Sequence, residues 1–127
     1  MPDKLLYEYA VIRLVPRVER EEFLNVGVIL YCAGLRFLEC RSEINADRLM
    51  AFSPGFDCSE AEQYLNAFKL ICQGHKLGGP LAQLPSSSRF RWLTAARSTM
   101  LQTSKVHPGF CSDPKETLLH LFDELVR

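Results

Sequence analysis

The sequence carries no surplus of charge: Lys+Arg is 15, Asp+Glu is 15, and the formal net charge at pH 7 is zero. A protein that holds nucleic acid mainly by neutralising phosphates has a basic surplus, so that class is not the expectation. There is no run of roughly 18 apolar residues, the length needed to cross a bilayer. The opening stretch has no apolar segment of signal-peptide length, and Glu8 and Arg13 interrupt the hydrophobic residues there. A cytoplasmic protein without membrane association is expected. The five cysteines, Cys32, Cys40, Cys58, Cys72 and Cys111, include no CxxC pair. Structural zinc sites need closely spaced ligands, so no metal is expected. Scattered thiols in a reducing compartment read as small apolar core residues. A GxSxG elbow, a glycine-rich phosphate loop and an HExxH helix are all lacking. No cofactor is expected, and no catalytic set emerges.

What is present describes an ordinary globular chain, 47% hydrophobic and 24% charged over 127 residues. That length suits one domain over residues 1–127, burying roughly two thirds of its unfolded surface. Residues 6–15 are aromatic, β-branched and apolar on both faces, which predicts an interior strand ended by Pro16. A charged connector over 17–24 leads to strands over 26–32 and 35–41 around the Ala33-Gly34 turn. Asn45 caps a short helix over 45–52, and Pro54-Gly55 ends it. Asp57 and Glu60 open a longer helix whose apolar face holds Ala61, Tyr64, Leu65, Phe68, Ile71 and Cys72; Gly74 stops it. Residues 74–88 read as a surface loop, and 90–95 as a short helix capped by Ser86, Ser87 or Ser88. A strand over 98–107 ends at Pro108-Gly109 and is expected beside the first strand. Asp113-Pro114-Lys115-Glu116 starts a final amphipathic helix. The order β-β-β-α-α-(α)-β-α predicts an α+β fold, a mostly antiparallel sheet of about four strands with helices on one face.

Charge is unevenly spread. From Gln63 to Ser112 there is no acid, while Lys69, Lys76, Arg89, Arg91, Arg97 and Lys105 all fall there. Either this makes a positive surface for an anionic ligand, or the acidic connector (Glu19, Glu21, Glu22) neutralises it across the fold. Arg13 lies mid-strand among apolar residues, where a buried charge needs a partner. Those same three glutamates are the expected partners. Arg89-Phe90-Arg91-Trp92 interleaves bases with aromatics, as a single-strand clamp does, and as a core-docking helix does equally. His107, with Ser98 and Thr99 on the same predicted strand, offers a base near hydroxyls. A structural hydrogen bond explains that histidine as well.

Two blocks of sequence resemble a known family. Residues 9–16 (Tyr-Ala-Val-Ile-Arg-Leu-Val-Pro) run into Glu19-Arg20-Glu21-Glu22-Phe23-Leu24-Asn25-Val26-Gly27-Val28. Residues 89–99 and the His107-Pro108-Gly109 turn follow much later. Together they resemble the bacterial "domain of unknown function 3037" family over nearly the whole chain. Arg13, Glu19, Arg20, Glu22, Asn25, Gly27, Arg97, Ser98 and His107 match its motifs, and Ala96 stands where many relatives carry proline. The resemblance supplies no catalytic residue. Similar proteins are often encoded beside a HipA-like kinase, which implies a non-catalytic binding or regulatory module with a kinase-type partner. The alternative is a small enzyme or ligand-binding domain for an anionic, phosphorylated compound, with Arg13, Arg20, Arg97 and His107 converging on one pocket. Nucleic-acid binding through Arg89, Arg91 and Trp92 is the third reading.

Overall fold

The computed structural model describes residues 4–127. β1 (Leu5–Leu14) is followed by β2 (Leu24–Cys32) and β3 (Phe37–Ser42) as an antiparallel meander. Helices α1 (Ala46–Phe52), α2 (Cys58–Gln73) and α3 (Ser86–Leu93) come next. Two short strands, β4 (Leu101–Thr103) and β5 (His107–Cys111), precede α4 (Pro114–Leu125). The α+β class and the mostly antiparallel sheet are as expected, with five strands instead of about four.

The sheet order is β3-β2-β1-β4, and β5 also pairs with β1. One side of β1 is therefore shared: residues 12–14 pair with β4 and residues 5–9 with β5. The single strand expected over 98–107 is thus two strands, both beside β1. Its predicted end is corrected. Pro108 and Gly109 lie inside β5, where Pro108 stands opposite Glu8 and Gly109 opposite Tyr7. Among the described residues β5 pairs with β1 alone. On an edge strand a proline can turn its donorless nitrogen away from the ladder. Gly109 is there for space, since a Cβ would lie 2.5 Å from Tyr7 Cζ.

Helices cover both faces of the sheet, which corrects the one-face expectation. Ala10, Ile12, Leu14 and Ile29 pack with Leu49 of α1, Leu65 and Phe68 of α2, and Phe90 of α3. On the opposite face Val28, Leu30 and Cys32 pack with Leu118 and Phe122 of α4 and with Val126. The reason is written in β2, which is apolar at successive positions and so needs cover on both sides. Cys32, Cys72 and Cys111 are buried, Cys40 and Cys58 are partly buried against the core, and all five thiols are free.

Local signals placed the helix ends. The Asn45 side chain accepts the Arg48 N–H, the Asp57 carboxylate accepts the Ser59 N–H, and Gly74 closes α2 with φ 68°. The expected loop over 74–88 holds two 3-10 turns, Lys76–Gly78 and Pro80–Gln83, and buries Ala82. α3 begins earlier than expected, at Ser86, and no serine caps it; the Arg89 N–H bonds back to Pro85 O instead. Asp113 is the strongest cap. Its Oδ1 accepts from Lys115 N (3.1 Å) and Glu116 N (3.3 Å), with Pro114 at the first helical position. Asp113→Ala is expected to cost about 1 kcal/mol. The melting point then falls by about 4 °C. Thermal denaturation reads this, and Asp113→Asn, whose amide oxygen can accept the same two N–H groups, should keep most of the wild-type stability.

Candidate functional site

The motif residues occupy several separate places. Arg13 stands on β1 between Asn25 of β2 and Gln102 of β4. Its guanidinium carbon lies 3.9 Å from the centroid of the Phe23 ring. It makes no ion pair among the described residues, and its Nε is buried without a partner. The expected bridge from Arg13 to Glu19, Glu21 or Glu22 is therefore corrected. Glu19 accepts from Arg17 Nε at 2.7 Å and Glu22 from Arg20 Nε at 2.5 Å, both exposed. Partners two residues apart are already near each other and need little further ordering. A hydrogen bond from its own backbone N–H and the Arg17 guanidinium hold the Glu19 carboxyl below the usual range. Arg20 does the same for Glu22.

Asn25 has an architectural task. Its Nδ2 donates to Leu125 O at 3.0 Å, while Arg48 Nη1 donates to Val126 O at 2.7 Å. Together they satisfy carbonyls at the C-terminal end of α4, which have no partner within the helix. Asn25 Oδ1 is buried and unpartnered, on the residue directly across the ladder from Arg13. Gly27 is required by close approach: a Cβ there would sit 2.7 Å from Arg41 O.

The late motif residues lie elsewhere. Arg97 stacks on Trp92, 4.3 Å from the ring centroid, and its Nη2 donates to Trp92 O. Ser98 is exposed in the irregular segment before β4. His107 is exposed on β5, its ring 5.4 Å from that of Tyr9, its partner in register. No hydrogen bond joins Ser98 to His107 among the described residues. His107 pairs with Tyr9, four residues along β1 from Arg13, roughly 13 Å away along the strand. Arg20 lines a groove with Phe52 and Pro54, whereas Arg97 lines a different cleft. The four side chains expected in one pocket are dispersed.

The connector does not neutralise the basic window either. Among the described residues Glu8 alone crosses to it, taking both Arg91 Nη1 and Nη2 at 3.1 and 3.2 Å. In the 89–92 segment, Arg89 donates to Ile71 O, Cys72 O and Leu84 O, closing the end of α2. Phe90 is fully buried and stacks on Tyr31. Trp92 is the side chain of that segment left facing a cleft.

That cleft was not anticipated. Tyr64, Phe68 and Ile71 of α2, Trp92 and Leu93 of α3, and Arg97 surround a cavity of about 230 Å³ floored by β4. Arg97 is the one charged residue in its lining. Tyr64 had read as core, yet it is 45% exposed, and Trp92 is 38% exposed. Cation–π stacking fixes the Arg97 guanidinium at the rim, where it keeps donors for a carboxylate. The sequence signal was weak: an aromatic and an arginine five residues apart, with no acid near them.

Among the described residues no three His, Cys, Asp or Glu side chains gather as a metal site, and no helix is long and apolar enough to cross a membrane. Comparison with curated proteins and with solved structures gave no match. A family model described as a protein of unknown function, DUF3037, matches residues 9–126. Nearly the whole described fold, from within β1 to the last turn after α4, falls inside that match, and the chain belongs to the DUF3037 family.

Proposed function

We propose that the chain is a non-catalytic binding module of the cytoplasm, and that its binding site is the cleft between α2, α3 and β4. One observation carries the reading: exposed aromatic rings, Tyr64 and Trp92, border an open apolar cavity whose sole charged lining residue is an arginine. Aromatic side chains and arginine are enriched at the centres of protein interfaces. The partner implied by the family resemblance is a HipA-like kinase. An acidic segment of that partner suits Arg97 at the cleft rim, which makes no ion pair among the described residues. The reading with a phosphorylated small compound has less support, because Arg13, Arg20, Arg97 and His107 occupy different surfaces.

The test is co-expression with the kinase-type protein encoded beside the gene. The wild-type chain should co-elute with it in size-exclusion chromatography. A Trp92→Ala, Arg97→Ala double variant should not, while melting within a few degrees of wild type. Failure of the wild type to co-elute at about 10 μM, or unchanged co-elution of the double variant, refutes the proposal.

A further inference from the structure

We infer that the cleft receives an extended acidic peptide segment that adds as a strand to the free edge of β4. This rests on the binding-module reading above and names the kind of ligand. Register defines the edge. Val15 N donates to Met100 O (2.7 Å) and Ser104 N donates to Val11 O (2.8 Å), so residues 100, 102 and 104 turn their backbone groups toward β1. Along an antiparallel ladder alternate residues face alternate sides. Leu101 and Thr103 therefore face outward. Thr99 Oγ1 donates to Leu101 O at 2.8 Å. The Leu101 N–H and both backbone groups of Thr103 have no backbone partner among the described residues. A short row of open groups on an edge strand is the template that strand addition uses.

The side chains agree with the backbone. Leu101 and Thr103 stand opposite Leu14 and Ile12, so they lie on the face covered by α2 and α3. A strand laid on this edge points every second side chain to the same face, into the cleft. At about 230 Å³ the cavity is below the range of drug-sized ligand sites and suits one large apolar side chain. Charge selects the neighbours of that side chain. No acid occurs from Gln63 to Ser112. Lys69, Lys76, Arg97 and Lys105 make no ion pair among the described residues, since Arg91 alone of that window reaches a carboxylate. Of these, Arg97 lines the cleft, whereas Lys69 lines a separate groove with Glu43 and Glu62; acidic residues flanking an apolar one complement the Arg97 rim. A nucleic acid also meets the charge, yet it has no use for open strand amides.

The probe is a fluorescein-labelled, end-capped peptide of about eight residues alternating glutamate with leucine and phenylalanine. Anisotropy titration should saturate with a Kd of about 10–100 μM. Arg97→Gln should weaken binding by about tenfold, and Thr103→Pro, which removes an outward N–H and spares the β1 ladder, by at least about tenfold. Two N-methylated peptides supply the test that needs no protein variant. Methylation at every second residue in one phase should abolish binding, and in the other phase leave it nearly unchanged, because one set of amides faces β4. Equal behaviour of the two phases, no saturation at about 1 mM, or tighter binding of a labelled single-stranded oligonucleotide overturns the inference. Co-elution of the kinase-type partner is scored separately. If the partner binds but the two phases behave alike, the module reading stands and strand addition fails. If the phases differ but the partner does not bind, that partner is wrong and the edge site stands.

Discussion

Phe90→Ala should lower stability by about 3–5 kcal/mol, the range for truncating a buried phenylalanine. Phe90 is 0% exposed and lies in the core shared by β1, β2 and the helices α1–α3. Its ring stacks on Tyr31, with centroids 5.3 Å apart and planes 28° apart. Removing it forfeits transfer energy and opens a cavity, and it also loses the aromatic pair, itself about 0.5–1.5 kcal/mol. Typical domains are stable by about 5–15 kcal/mol, so a large share of the total is lost. The melting point should fall by about 10–20 °C. Phe90→Leu keeps most of the volume and should cost only about 1–1.5 kcal/mol. The loss also bears on the cleft, because α3 carries Trp92 two residues further on. Near-ultraviolet circular dichroism of that single tryptophan should flatten in the alanine variant before global melting. A melting point within about 3 °C of wild type would show that α3 does not anchor through this ring.

Helix ends were legible because their chemistry is local. Asn45, Asp57 and Asp113 each place an acceptor over the first turn, and Gly74 adopts the left-handed conformation that ends α2. The same locality misled at Ser86, Ser87 and Ser88, where Pro85 occupies the cap position and the serines lie within the helix's first turn. It misled again at Pro108-Gly109, because only the register with β1 shows that these residues occupy an edge. Amphipathicity announced that α4 packs, and it did not say on which face. The answer lay in β2, whose run from Val26 to Cys32 is buried throughout.

The candidate site was less legible than the fold, for a reason of distance. Arg13 and Asn25 drew notice as polar residues in apolar strands, and Asn25 proves to hold the end of α4. The acidic connector looked like a long-range partner, yet Glu19 and Glu22 find arginines two residues away. The cleft is assembled from three segments, around residues 64–71, 92–97 and 101–103. Each segment alone reads as ordinary helix face or strand. Their convergence is a property of the packing, and the lack of acids near Arg97 was its one trace in the sequence.

Gly27→Ala should destabilise the fold by about 1–3 kcal/mol, although it adds only a methyl group. Gly27 lies in β2 between Ile12 of β1 and Ser42 of β3, beside the irregularity in the ladder at Ile12 and Arg13. A Cβ there would meet Arg41 O at 2.7 Å, Ser42 Cβ at 2.9 Å and Ile12 Cδ1 at 3.1 Å. The nearest of these atoms is backbone, so relief requires moving β3 rather than turning a side chain. Against this stands the lower entropy of the unfolded alanine chain, a gain of about 0.4–1 kcal/mol. The clash is the larger of the two effects because two strands hold the position from either side. Urea titration should show a lower midpoint at unchanged slope, the signature of altered stability with the same surface exposed. Gly34→Ala is the matched control. Its nearest contact, Leu5 Cδ2 at 3.2 Å, belongs to a flexible side chain, so that variant should stay within about 0.5 kcal/mol of wild type. Equal midpoints for the two variants would mean that the β2–β3 approach at Gly27 is looser than 2.7 Å implies. The glycine of the Asn-Val-Gly motif would then need an explanation other than packing.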